Sequence, residues 1–362
     1  MSAAALAALP LQTHRRLTRL LSVGDPSVTF ARIIGGERVV DGIEPRVWHA
    51  WSQCAGLDET MHERCTEHGI SVLWQGGPQF PSAFRDELAP APVLFVKGDT
   101  AVLDRRRAGI IGTRTATMSG IELARSLGRD LALNGVAVVS GLARGIDVNA
   151  HRGVLAVDGG VPVGVVACGL DVVYPPEHSR EWSLVSERGL LVSEHPPGTA
   201  PETHHFPLRN RILATLSEVL VVVESRTRGG SMITVREAEK RGVTVMAVPG
   251  SPHVAVAGGT NELIKDGCVP VTGIDDVLTA LALDSSRYVR HVDNREPPSG
   301  AEVVVMESFG NAPRTVDEIV LTCGLAPFDA GVILGRLEAK GWVQHVNGWW
   351  EALVRRQEAS TV

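Results

Sequence analysis

The chain has 362 residues, 44% of them hydrophobic, and a formal net charge of −6. That length is too great for one ordinary domain. The acidic balance excludes a surface coated with nucleic acid, so any polyanion must meet a local basic patch. No apolar run approaches the ~20 residues that a membrane helix needs. The five cysteines (Cys54, Cys65, Cys168, Cys268, Cys323) are odd in number and lack C-x-x-C pairs, which argues against a disulfide framework and against a zinc ribbon.

The opening MSAAALAALPLQTHRRLTRLL carries its cations behind the apolar stretch, so it does not read as a signal peptide, and a cytoplasmic protein is expected. Helical signals dominate residues 1–75 and predict an N-terminal helical, SAM-like domain. A proline-rich lead-in, QFPSAFRDELAPAPVLFVKGD, then enters a domain spanning 76–283. There AGIIG (108–112), VAVVSG (136–141), VPVGVVACG (161–169), LLVSEH (190–195), EVLVVVES (218–225), VTVMAVPG (243–250) and CVPVT (268–272) read as strands. Their near-continuous β-branched character predicts burial on both faces, hence a mainly parallel sheet. Amphipathic stretches such as SGIELARSLGRDLALNG (119–135) alternate with them, which predicts a Rossmann-like, doubly wound α/β fold. Residues 284–299 read as a linker. Residues 300–357 give three helix patterns and two short strands around Asn347-Gly348, the winged-helix pattern, which binds duplex DNA or proteins.

Ligands of an open parallel sheet bind beyond the carboxyl ends of its strands. That edge carries Gly112, Thr113 and Arg114, then Ser140, Gly141, Arg144 and Gly145, and later Gly230 and Ser231. Glycine lets backbone N–H groups approach a phosphate, and the following helix N-termini favour anions, although each loop alone is equally a tight turn. A dinucleotide is disfavoured, because GTRTATMSG is not G-x-G-x-x-G and no acid ends the second strand. The Walker pattern is absent as well, so no cofactor is expected.

The segment FPLRNRIL (206–213) predicts a helix with Pro207 at its first position and Leu208, Ile212 and Leu216 on its buried stripe. Arg209 falls within the stripe but in the first turn, where its guanidinium can emerge at the sheet edge. Arg211 points roughly 200° away. Arg209 either pairs with a carboxylate, Glu202 or Glu224, or clamps a phosphate with Asn210 orienting it and Phe206 stacking a base. Backbone cradle, cation and aromatic ring together suit single-stranded nucleic acid. Catalytic and metal patterns are thin. His204 and His205 are adjacent, so they cannot point the same way on a regular element, and they lack ligand spacing; no metal is expected, and Glu224 and Glu237 are the one acid pair to watch for hydrolysis.

GTR (112–114), VVSGLARGID (138–147), His151, GLDVVYPPEH (169–178), SEHPPGT (193–199), HFPLRNRILATLS (205–217), GGSMIT (229–234) and AVPGS (247–251) together resemble the DNA-processing protein A family, DprA or Smf. The resemblance covers the whole α/β domain in order. It implies a non-enzymatic protein of natural transformation that binds and shields incoming single-stranded DNA, helps load the RecA recombinase and works as a homodimer. It implies DNA contacts at Arg114, Phe206, Arg209, Asn210 and Arg211. Thr113 replaces the commoner serine, and Pro176 stands where members often carry Lys or Arg, so that contact is either lost or shifted to Arg180. The alternative is an enzyme: GGS-x-I-T-x-x-E is loosely similar to a motif of nucleotide phosphoribohydrolases, with Glu237 as the reactive acid.

Overall fold

The computed structural model describes residues 2–84, 90–282, 295–309, 313–346 and 348–353. The chain divides into two compact units, Met1–Val289 and Arg290–Val362.

The first unit opens with helices α1 (Ser2–Ala8), α2 (His14–Leu21), α3 (Pro26–Ile34), α4 (Pro45–Ser52) and α5 (Leu57–Glu67). Thr13 caps α2 by accepting from the Arg16 amide, and Asp25 caps α3 by accepting from the Ser27 amide at 2.8 Å. Strands β1 (Ser71–Trp74) and β2 (Val93–Gly98) follow, paired antiparallel. Leu6, Leu20, Ile33 and Trp51 from the helices share one core cluster with Val93 and Phe95 of β2. The boundary predicted at residue 75 therefore does not separate two compact units, and β1 lies inside the segment read as helical.

From there the βα alternation predicted by the sequence unfolds in order. It comprises β3 (Arg107–Ile111), α6 (Met118–Leu133), β4 (Ala137–Ser140), α7 (Ile146–Leu155), β5 (Pro162–Val165), α8 (Ser179–Arg188) and β6 (Leu190–Ser193). Next come α9 (His205–Leu216), β7 (Val219–Val222), α10 (Ser231–Glu239), β8 (Thr244–Ala247), α11 (Gly258–Lys265), β9 (Val269–Pro270) and α12 (Ile274–Ala280). Among the described residues these strands make a nine-stranded sheet in the order β1-β2-β6-β5-β4-β3-β7-β8-β9. β2 joins β6 antiparallel, and every pairing from β6 to β9 is parallel. Every residue of β4, β5, β6 and β7 is buried, as their valine-rich runs require when helices cover both faces. Leu127 and Leu131 of α6 and Val277 of α12 share one cluster; Ile212 of α9, Val235 of α10 and Leu263 of α11 share another.

The strand order reverses at β3. The chain builds outward from β3 through β4 and β5 to β6, then α9 carries it back to β7 on the other side of β3. A crevice forms at such a switch point, beyond the strand carboxyl ends.

The second unit contains α13 (Ala301–Phe309), α14 (Val316–Cys323), α15 (Pro327–Ala339) and the antiparallel pair β10 (Val343–Val346) and β11 (Trp349–Ala352). A capping box between Thr315 and Glu318 starts α14, and Gly324 at φ 66° ends it. Most of the predicted linker lies outside the described residues, as does Asn347 of the predicted turn. No single helix among the described residues is long and apolar enough to cross a membrane.

Candidate functional site

The loops after β3, β4 and β7 and the first turn of α9 enclose a hollow of about 350 Å³. Gly112, Thr113, Arg114, Phe206, Asn210, Arg226, Gly230 and Ser231 line it, with Asp147 and Arg209 beneath. A smaller hollow of about 40 Å³ adjoins it, bordered by Arg144, Cys168 and Tyr174. Arg114, Ala143, Phe206 and Arg209 line both.

The dividing ridge is aromatic and cationic. The exposed Arg114 guanidinium lies over the Phe206 ring, 5.1 Å from its centroid. The half-exposed Tyr174 ring stands beside Phe206 at 5.7 Å, tilted by 52°. Tyr174 sits in the quoted GLDVVYPPEH run, yet nothing in its spacing marks it as a partner of Phe206. Arg226 is also exposed on the rim of the larger hollow, and its position between a strand end and Gly229-Gly230 was the signal that could have found it.

Helix α9 differs from its prediction in two respects. It begins at His205, so Pro207 is its third residue, still in the turn where amides lack helical acceptors. Its buried stripe is Arg209, Ile212, Leu213 and Leu216, while Leu208 is 48% exposed. Arg209 thus turns inward and is only 5% exposed. It donates from Nη1 to the Val165 carbonyl at 2.6 Å, and its Nε makes no hydrogen bond. The guanidinium does not emerge into solvent at the sheet edge as expected; it lines the floor of both hollows.

Burial works on both charges of that floor. Asp147 is pushed up to about 6 by desolvation, against the pull of Arg209 and of the Gly141 and Ala143 amides. Arg209 is held below the usual guanidinium range by burial, with Asp147 opposing. The Gly141 amide donates to Asp147 Oδ2 at 3.2 Å. A Cβ on Gly141 would collide with Arg209 Nη1 and come within 2.6 Å of Asp147 Oδ2, so only glycine fits between them. Gly145, at φ 76°, packs against the Thr113 carbonyl at the start of α7.

The predicted phosphate-cradling loops therefore split. Ser140 is fully buried and donates to the Ile110 carbonyl at 2.6 Å, so its hydroxyl is unavailable to a ligand. Gly145 is a packing residue, and Gly141 lines only the smaller hollow, its amide occupied. Gly112, Thr113, Gly230 and Ser231 do line the larger one, although the Thr113 amide already donates to the Glu224 carbonyl at 2.7 Å.

Other predicted contacts are engaged elsewhere. Arg211 is ion-paired with Glu194, both partners largely buried, and it lines neither hollow, as its place on the opposite side of α9 dictates. Arg144 reaches the smaller hollow while paired with Glu177, in an exposed contact. Arg180 is exposed on α8 and lines neither hollow. Glu224 accepts from the Thr117 amide at 2.9 Å and from the Thr117 hydroxyl. Glu237 pairs with Lys240 and Arg241, each at 2.7 Å. Cys168 is buried and pushed up to about 12 by desolvation, which disfavours its thiolate.

Residues 71–282 match the family described as DNA recombination-mediator protein A. The chain belongs to the DNA-processing protein A family. It is 36% identical over 223 residues to the DNA processing protein DprA of Bacillus subtilis, covering 61% of this chain and 75% of that one. It is 34% identical over 295 residues to a putative DprA of Mycobacterium tuberculosis, covering 79% of this chain and 69% of that one. The X-ray structure of DprA from Streptococcus pneumoniae superposes with a TM-score of 0.65 at 28% identity, over 80% of this chain and 97% of that one. DprA from Helicobacter pylori, whose structure is described for its single-stranded DNA binding mode, gives 0.53 at 30% identity, over 59% of this chain and 95% of that one. The matched range, residues 71–282, contains the loops and the helix that build the two hollows.

Proposed function

We propose that this chain binds single-stranded DNA along the strand-end edge, with a base stacked at Phe206 and Tyr174 and phosphates drawn to Arg114 and Arg226. The observation that carries the reading is the Arg114–Phe206 ridge, an exposed cation on an aromatic face between two hollows. Unstacked bases find a sequence-tolerant platform there, and the net charge of −6 confines the attraction to this mouth. Family membership supports the wider role: shielding the strand in natural transformation and recombination, helping to load RecA, and acting as a cytoplasmic homodimer. The three helices and hairpin of the second unit are read as a winged helix. The internal pairings of Glu224 and Glu237 weigh against the nucleotide-hydrolase alternative.

Titration of oligo-dT and of a duplex of equal length, at several salt concentrations, tests the reading. Two or three neutralised phosphates imply a log–log slope of about −1.4 to −2.1 for the single strand. Equal affinity for the duplex, or a flat salt response, would remove the proposal. Deleting residues 300–362 and measuring DNA binding and RecA loading separately assigns the second unit to one or the other.

A further inference from the structure

Three imidazoles crowd the turn that feeds α9, and the DNA-binding mouth uses none of them. The His204 and His205 rings meet edge to face at 4.3 Å between centroids, and His195 lies over His205 at 4.0 Å. The expectation that adjacent histidines diverge fails because His204 is not on a regular element. It has helical dihedrals (φ −77°, ψ −15°) but is the N-cap that precedes the first full turn. His204 Nδ1 lies 3.3 Å from Glu202 Oε2. One ligand atom from each of Glu202, His204 and His205 lies within 4.8 Å of the other two.

The cluster contains unmet bonding capacity. His205 is 8% exposed, and its Nδ1 is buried without a hydrogen-bond partner; His195 Nε2 is in the same state. An orphaned buried acceptor or donor costs about 1–3 kcal/mol, and a family of mutually facing rings offers no polar group to relieve it. A cation that accepts imidazole lone pairs would.

We propose that Glu202, His204 and His205 form a binding site for a divalent transition-metal ion of the zinc type. Two imidazoles and one carboxylate are borderline donors, which favour Zn²⁺ or Co²⁺ over the all-oxygen shells that Mg²⁺ and Ca²⁺ prefer. Metal–ligand bonds of roughly 2.0–2.2 Å need the three atoms somewhat closer than they stand. The exposed side chains of His204 and Glu202 supply that movement, while buried His205 is the fixed anchor. A bound ion would fasten the first turn of α9 to the segment before it, next to Phe206. The inference stands without the DNA reading.

The full chain, stripped with chelator and dialysed against Zn²⁺, should retain one ion. Co²⁺ should give the visible d–d absorption of an imidazole-carboxylate site. Glu202→Ala combined with His204→Ala should weaken binding by at least about tenfold, and zinc should raise the Tm of the parent but not of this variant. Both positions are exposed, so folding of the variant is readily checked by circular dichroism without metal. Absence of stoichiometric uptake would overturn the proposal, and so would undiminished uptake by the double variant, which would send the ion to other histidines or cysteines.

Discussion

The mouth and the floor of the strand-end cleft are built from the same sequence motifs but obey different physics. At the mouth, Arg114, Phe206, Tyr174 and Arg226 stand partly or fully in solvent, with Arg114 over the Phe206 ring and Tyr174 beside it. At the floor, Arg209 and Asp147 are buried, Arg209 hydrogen-bonded to the Val165 carbonyl and Asp147 to the Gly141 amide, and each charge acts on the other. Desolvation makes an unpaired charge costly in the second place and cheap in the first. The lesson is that arginines of one cleft can meet opposite electrostatic demands, exposed at its rim and buried at its base.

Removing Arg209 tests that division most severely. Arg209→Met leaves Asp147 buried without its cation and should cost roughly 3 kcal/mol of stability in urea unfolding. The salt slope for oligo-dT should stay unchanged in whatever fraction remains folded. A reduced slope with full stability would move Arg209 from floor to mouth.

A second test uses pH on the buried layer next to the floor. His151 on α7 is fully buried with neither ring nitrogen hydrogen-bonded, and burial lowers it from 6.5 to about 4. As pH falls below 6.5 the unfolded chain takes up a proton that the folded chain refuses until about 4, so stability is lost on acidification. His151→Asn removes this loss. Between pH 7 and pH 5 the stability difference should move in favour of the variant by about 2 kcal/mol. Asp147, which titrates in the opposite sense, is common to both proteins and cancels.

Smaller effects belong to the mouth. Phe206→Ala should cost roughly 1–2 kcal/mol in single-strand affinity with little change in Tm. Arg114→Ala should lower the magnitude of the salt slope by about 0.7, one phosphate contact. Arg144→Ala should do least: its partner Glu177 is exposed and the pair is screened, so stability should not change measurably. A large affinity loss there would extend the mouth to the smaller hollow.

Much of this was readable before any coordinates. Valine-rich runs forced a doubly covered parallel sheet, and glycines after the strands marked the edge that carries the cleft. The inward turn of Arg209 was not readable, because a four-residue spacing through Leu208 fits α9 as well as the observed stripe through Arg209 and Leu213. What favours the observed stripe is the space beside Gly141 and the Val165 carbonyl that receives Arg209, and both lie far away in sequence. The same limit hid β1 and β2, short strands whose antiparallel pairing, β1 to β2 and β2 to β6, depends on tertiary neighbours. Convergence of His204 and His205 was invisible for a related reason: alternation arguments assume a regular element, and the turn before α9 is not one.

The return of the chain through α9 has a mechanical consequence. Arg114 follows the first strand of the parallel array, whereas Phe206 enters only after the array has been extended to β6, in the first turn of the helix that returns the chain to β7. The contact between them therefore joins the start of one half of the sheet to the connection that begins the other. Glu202, Thr203 and His204 are exposed just ahead of that crossing, so a single proteolytic cut there would sever cation from ring in the covalent chain while removing neither, and would separate the integrity of the grip from that of the polypeptide.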